Sequence, residues 1–194
     1  MDPSCSSQIA QIMIEGMQEV VGPEDLHGLV PYNPAATSAR LSYKDVCQFQ
    51  EAVEASFGAR GGRGVLCRSG RAAFKYFLPD FWLHLGMTNL QYRLMPTPSR
   101  IKLGLRAMAA AMAKMYDQEI EVEDNGSVWI WRMKTCPHCY QRQSRGPVCD
   151  FVVGVLQEYL SWTSSGRFYM VEEVECISAG GSACCIHIQK MPLD

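Results

Sequence analysis

The chain has 194 residues, a net charge of −2, 47% hydrophobic and 20% charged residues. That is an ordinary globular balance, enough for one domain with a sizeable core or one domain with an N-terminal extension. The small charge gives no electrostatic case for nucleic acid or an anionic membrane, and no apolar run approaches the roughly 20 residues that span a bilayer.

The opening Met1-Asp2-Pro3-Ser4-Cys5 lacks the basic region and apolar core of a secretory signal, so a cytoplasmic protein is expected. Ile9, Ile12, Met13, Met17 and Val20 then repeat at helical spacing, and Gly22-Pro23 ends the run. Residues 23–41, rich in Pro, Gly and Ala, read as a loop. Ser42 resembles an N-cap with Asp45 in the first turn; Val46, Phe49, Val53 and Phe57 form the next stripe, and Gly58 stops it. The glycine-rich stretch Gly58–Gly64 lacks the Gly-Lys-Ser/Thr ending of a phosphate loop and reads as a flexible helix-to-helix connection.

A third helix is expected from Val65 to Leu78, ended by Pro79. A fourth starts near Ser99, with Ile101, Leu105, Met108, Met112 and Met115 on one face. The period then changes. Ile120 and Val122 alternate with acidic residues, Asp124-Asn125-Gly126 marks a hairpin, and Trp129 and Trp131 share one strand face. A polar loop, Thr135 to Gly146, holds Cys136-Pro137-His138-Cys139, and Pro147 suits the first turn of a further helix. Phe151, Val152, Val155, Tyr159 and Trp162 form its buried stripe, and Gly166 its end. Strands near Phe168–Ile177 and Ala183–Lys190 close the chain. The order of helices, hairpin, helix and hairpin predicts an α+β fold, an antiparallel sheet covered by helices.

The nine cysteines need an explanation. Cys5, Cys47 and Cys67 are scattered and read as small buried hydrophobes. The other six lie between Cys136 and Cys185, an asymmetry that points to metal. Cys149, then Glu173, Cys176 and Cys184 with Gly180-Gly181 between the last two, offer three thiolates and a carboxylate, enough for a tetrahedral zinc site. In a regular strand Glu173 and Cys176 would face opposite ways, so both reach one ion only across a bulge or twist. Cys136-x-x-Cys139 is itself a metal-like spacing that would replace Glu173 in a four-thiolate site; it would also suit a redox pair. His138 is an alternate ligand or a solvent-facing loop residue. Cys185 reads as core, and His187 shares its strand face.

Pro147-Val148-Cys149, the helix with Gly154, Gly166-Arg167, Val171 through Cys176 and Cys184 resemble the 4-vinyl reductase domain family, most strongly over residues 118–190. The family takes its name from a bacteriochlorophyll-biosynthesis protein. It also occurs in the sensor region of bacterial activators that detect phenol. The whole chain looks like a stand-alone bacterial member of the sort found in photosynthetic filamentous bacteria. The resemblance implies a fold similar to trafficking-complex subunits and haem nitric oxide sensors. It implies a structural zinc on Cys149, Glu173, Cys176 and Cys184, close to a ligand pocket.

The expected organisation is a helical N-terminal extension over 1–60 packed on a ligand-binding domain over 61–194. Trp129, Trp131, Phe74, Phe77, Trp82 and His84 are the candidate pocket lining for a small hydrophobic or aromatic ligand. No nucleophile elbow surrounds Ser182 and no dinucleotide fingerprint is present, so the family name is not evidence for reductase chemistry. A homodimer is expected, and a sensor of this kind would pass its signal to a separate partner. Other readings are an accessory protein or enzyme of tetrapyrrole metabolism, or a dimeric scaffold or interaction protein.

Overall fold

In a computed structural model, residues 3–29 and 41–193 are described. Helix α1 (Ser7–Val21) starts at Ser6, whose hydroxyl accepts from the Ile9 amide, and ends at Gly22. Helix α2 (Pro23–Leu29) occupies the first part of the stretch that reads as a loop. Pro23 at its start and Glu24-Asp25 in its first turn are helix-initiating features that the glycine and proline content obscures. The rest of that stretch, residues 30–40, lies outside the described residues. Strands β1 (Ser4–Cys5) and β2 (Leu41–Ser42) form a short antiparallel pair.

Ser42 and Asp45 form the expected capping box, and from it runs helix α3 (Tyr43–Leu85), 43 residues long. Helical geometry breaks at Gly58, as expected: its φ of 73° and ψ of 159° are non-helical, and only glycine adopts such a φ readily. The expected loop over 58–64 does not follow, because a second helical stretch starts directly after the kink. Pro79 does not end it either. The proline lies on the exposed side, where the carbonyl it deprives of a partner meets water, while Phe77, Phe81 and Leu85 stay buried. The domain boundary expected at residue 60 falls inside this helix. A short helix α4 (Asn89–Leu94), capped by Thr88 and Gln91, precedes α5 (Thr97–Tyr116). All five residues of the α5 stripe are buried.

The antiparallel sheet is built of β3 (Ile120–Asp124), β4 (Val128–Met133), β5 (Tyr169–Glu175) and β6 (Cys184–Pro192), in the order β3-β4-β6-β5. Helix α6 (Asp150–Thr163) begins three residues after Pro147 and lies, with α5, against the sheet. One core joins residues from Cys5 to Ile188. No described helix is long and apolar enough to cross a membrane.

The α3–α6 contact fixes the register of helices on sheet. At Gly70 an added Cβ would collide with the carbonyl of Phe151, and at Gly154 one would collide with the carbonyl of Cys67. Each helix therefore touches the other's backbone, and only hydrogen fits between them. Gly154→Ala should destabilise the fold by about 3 kcal/mol, because the obstacle is a backbone carbonyl and not a side chain that can rotate away. Gly64→Ala, on the exposed side of α3 with nothing near its Cβ, should stabilise by about 0.5–1 kcal/mol. Urea denaturation of both variants measures the contrast; equal effects would show that the helices do not meet at Gly154.

Candidate metal centre

Three segments converge beneath the sheet. Cys149 caps α6. Glu173 stands in β5, and Cys176 follows the end of that strand. A 3₁₀ turn, Ile177–Ala179, and Gly180 in the left-handed conformation then fold the chain so that Cys184 opens β6. Pairing between β5 and β6 shifts register between Glu173 and Glu175. That bulge is the irregularity which Glu173 and Cys176 need to face one point. The third segment is the 3₁₀ turn Pro137–Cys139.

One ligand atom from each of Cys139, Cys149, Glu173, Cys176 and Cys184 lies within 4.8 Å of all the others, and all five residues are buried. The Cys139 sulfur is 3.5 Å from that of Cys149 and 3.4 Å from those of Cys176 and Cys184. Cys176 and Cys184 are 4.0 Å apart. The four residues of the expected quartet thus come together, and Cys139 comes with them. Cys136 touches the edge of the group, its sulfur 3.4 Å from that of Cys149.

The surroundings supply donors. The Cys149 amide donates to Glu173 Oε2 (2.8 Å), and the Ile177 amide points at the Cys184 sulfur (3.4 Å). Glu173 Oε1 is buried with no hydrogen-bond partner. Burial pushes its carboxyl up to about 8. A cation close to this carboxylate favours its charged form and opposes that shift, whether Oε1 binds the ion or stands just outside its ligands. The residues present therefore fit a metal ion.

His138 does not face solvent, contrary to the loop expectation. It is fully buried, stacked on Phe151 with ring centroids 5.9 Å apart. Its Nδ1–H donates to Gln50 Oε1, and its Nε2 accepts from the Tyr116 hydroxyl at 3.3 Å. Both ring nitrogens are thus occupied, and His138 is not among the converging donors. Gln50 also donates to the Val148 carbonyl (3.2 Å), so one side chain of α3 bridges the turn before Cys139 and the residue before Cys149. Nothing in the sequence marks Gln50, which looks like any polar residue of an amphipathic helix. Cys185 is buried on the opposite sheet face, where Arg132 Nη1 donates to its sulfur at 3.2 Å. His187 lies on that face too, opposite Ile130 and Glu172. Among the described residues Cys5, Cys47 and Cys67 stand outside the group.

Trp129 and Trp131 are buried on the helix-facing side of β4, opposite Ile188 and Ile186, and both indole N–H groups lack a partner. Phe74 and Phe77 are buried on α3. Phe74 and Trp82 contact Trp162 edge-on, and Phe81 contacts Tyr92 and Tyr159 in the same aromatic group. His84 donates from Nδ1 to the Asp80 carbonyl (2.9 Å). A cavity of about 240 Å³ is bordered by Met13, Leu26, Leu41, Val46 and Phe49, and another of about 260 Å³ by Tyr92, Arg93, Arg100, Trp162 and Thr163. None of the six expected pocket residues lines either one.

Residues 129–190 match the family model of the 4-vinyl reductase domain, the family that the sequence resembles. No curated protein matches the chain. Among solved structures, an H-NOX protein from S. oneidensis in its Fe(II)NO ligation state is 10% identical, with a TM-score of 0.63 over 97% of this chain and 99% of that one. A variant of the Fe(II) unliganded H-NOX protein from K. algicida is 11% identical, with a TM-score of 0.60 over 96% of each chain. The doubly substituted Tt H-NOX protein is 15% identical, with a TM-score of 0.57 over 97% of each chain. At such identities the likeness is one of fold, and it shows the expected similarity to haem nitric oxide sensors.

Burial holds the His138 imidazole down to about 4. Its pKa in the folded chain lies below the unfolded value of about 6.5, so the unfolded chain takes up the proton first as pH falls. Stability from this group is complete above pH 6.5 and is lost as pH falls towards 4; at pH 5 the loss is about 2 kcal/mol relative to pH 7. Denaturation at the two pH values should show that difference in wild type and a smaller one in His138→Gln. An identical pH dependence in the two proteins would contradict a neutral buried imidazole.

Proposed function

We propose that this chain, with its 4-vinyl reductase domain match at 129–190 and its H-NOX fold, is a small-molecule-binding sensory domain with a structural zinc ion beside the ligand site. The observation that carries the ligand reading is the pair of orphaned indole N–H groups on Trp129 and Trp131. A buried donor without an acceptor costs about 1–3 kcal/mol. Two on one strand face, under the helices, suit a ligand with an apolar body and an acceptor atom. A small aromatic or hydrophobic compound bearing a hydroxyl or carbonyl oxygen has that chemistry.

Zinc follows from the donor set. Soft thiolates favour zinc over the hard cations, and ligands drawn entirely from the protein suit a closed structural site. Four ligands about 2.3 Å from a zinc ion form a tetrahedron with edges of about 3.8 Å. The three sulfur separations from Cys139 and the one between Cys176 and Cys184, 3.4–4.0 Å, bracket that value. Cys149, Cys176 and Cys184 hold the ion with a fourth donor, Glu173 or Cys139. When bound, the metal clamps chain segments and supplies no reactive centre. Any signal then passes to a partner, and a homodimer is the simplest assembly for presenting one.

Metal analysis of protein purified under reducing conditions should find one zinc per chain. Chelation should lower the melting temperature by roughly 5–10 °C, taking a zinc concentration about 100-fold above its dissociation constant. Affinity for zinc should weaken as pH falls from 8 to 6, because thiolates and Glu173 must lose protons to bind. A metal-free protein with an unchanged melting curve would end the zinc reading.

The ligand reading is tested by tryptophan fluorescence against a panel of substituted phenols and by absorption against porphyrins. Binding should weaken about 10-fold in Trp131→Phe, which keeps the ring and removes the donor. Absence of any saturable signal would contradict it. Turnover of a vinyl-bearing pigment by the isolated chain would favour an enzyme of tetrapyrrole metabolism instead.

A further inference from the structure

Five donors converge where a tetrahedral ion takes four. From the sulfur positions we infer that Cys139 is the fourth ligand, which makes the centre a four-thiolate site with Glu173 outside it. The inference rests on the zinc reading above and specifies its ligand set.

The carrying observation is the position of the Cys139 sulfur, 3.4–3.5 Å from each of the other three. Near-equal distance to three sulfurs, a little under the tetrahedral edge of about 3.8 Å, suits the remaining vertex of a tetrahedron. A thiol outside the shell has no reason to stand there. Its single S–H satisfies one weak acceptor at most, and the other two contacts gain little. Cys136 also meets these thiols, its sulfur 3.4 Å from that of Cys149, but it is not one of the five donors that all lie within 4.8 Å of one another.

Glu173 has a different role in this arrangement. Its Oε2 already accepts the Cys149 amide. A carboxylate that holds the backbone of a ligand residue fixes the direction in which that ligand points, the usual work of groups just outside a metal's own ligands.

The choice between the two donors has a structural consequence. With Glu173 as ligand, the ion ties the start of α6 to the β5–β6 hairpin and leaves the 135–146 loop to weaker contacts. With Cys139, it fastens that loop as well. The loop is already linked to α3 through His138 to Gln50, through Tyr140 packed edge-on against Tyr43, and through Arg142, which pairs with Glu54. The four-thiolate ion therefore joins the sheet to the helical layer through a loop, and its loading is felt at α3.

X-ray absorption at the zinc edge of the full-length, zinc-loaded chain decides the matter. Four sulfur scatterers at about 2.3 Å and no oxygen shell support the inference; three sulfurs with an oxygen at about 2.0–2.2 Å overturn it while leaving a zinc protein. Glu173→Gln should keep the four-sulfur shell, with zinc affinity lowered by no more than about 100-fold. Cys139→Ser should lose one sulfur from the shell. The wild-type spectrum stands by itself should Cys139→Ser fail to fold. A wild-type chain that takes up no zinc refutes both readings, so the two failures are told apart. Hydrogen exchange adds a second readout: removing zinc should deprotect 135–146 together with the hairpin. Deprotection of the hairpin alone would count against Cys139 as a ligand.

Discussion

Four sulfurs and a carboxylate occupy one buried volume, and they are carried by three segments, two of them separated by the whole of α6. The hairpin brings Cys176 and Cys184; α6 brings Cys149; a 3₁₀ turn before α6 brings Cys139. The rest of the lower half of the molecule follows from this meeting. Glu173 faces inward with Tyr169 and Val171, the bulge after it brings Cys176 to the same side, and the left-handed Gly180 returns the chain for Cys184. The Cys149 amide, left free at the helix start, has its acceptor in Glu173. Each of these local features would be an isolated irregularity without the common point they serve.

The upper half is fixed by contact between backbones. Gly70 and Gly154 let α3 and α6 approach until each touches the other's carbonyl. That closeness places the start of α6, and with it Cys149, against Gln50 of the same long helix. A buried polar chain then runs from the Tyr43 hydroxyl to the Tyr116 carbonyl, and from the Tyr116 hydroxyl through His138 to Gln50 and on to the Val148 carbonyl. Polar groups so deeply buried are tolerated because each finds a partner. The chain is also directional in its protons: Gln50 Oε1 requires the proton on His138 Nδ1, and Nε2 is left to accept.

Much of this is legible in the sequence, for identifiable reasons. Periodicity places α1, α5, α6 and the strands, because their apolar faces meet one uniform partner layer. The capping box at Ser42 and Asp45 is readable from residue type alone. The need for a bulge between Glu173 and Cys176 follows from the two-residue period of a strand. What misleads are the breakers. Pro79 reads as a stop, but a proline on the solvent side of a well-packed helix only removes one exposed hydrogen bond. The glycines after Gly58 read as a loop, although helical packing on both sides holds them in line. Helix α2 hides among its prolines and glycines. Cys139 is visible as half of a Cys-x-x-Cys pair, yet spacing cannot say which of two cysteines turns inward. Gln50 carries no signal, since its role exists only once His138 and Val148 have been brought to it.

The claim on which these relations depend is that a single metal ion occupies the point where the four sulfurs meet. A crystal structure with anomalous scattering recorded on both sides of the zinc edge measures it directly. The account expects one anomalous peak, about 2.3 Å from the sulfurs of Cys139, Cys149, Cys176 and Cys184, which disappears below the edge. Four sulfurs in the same arrangement around no peak would contradict it.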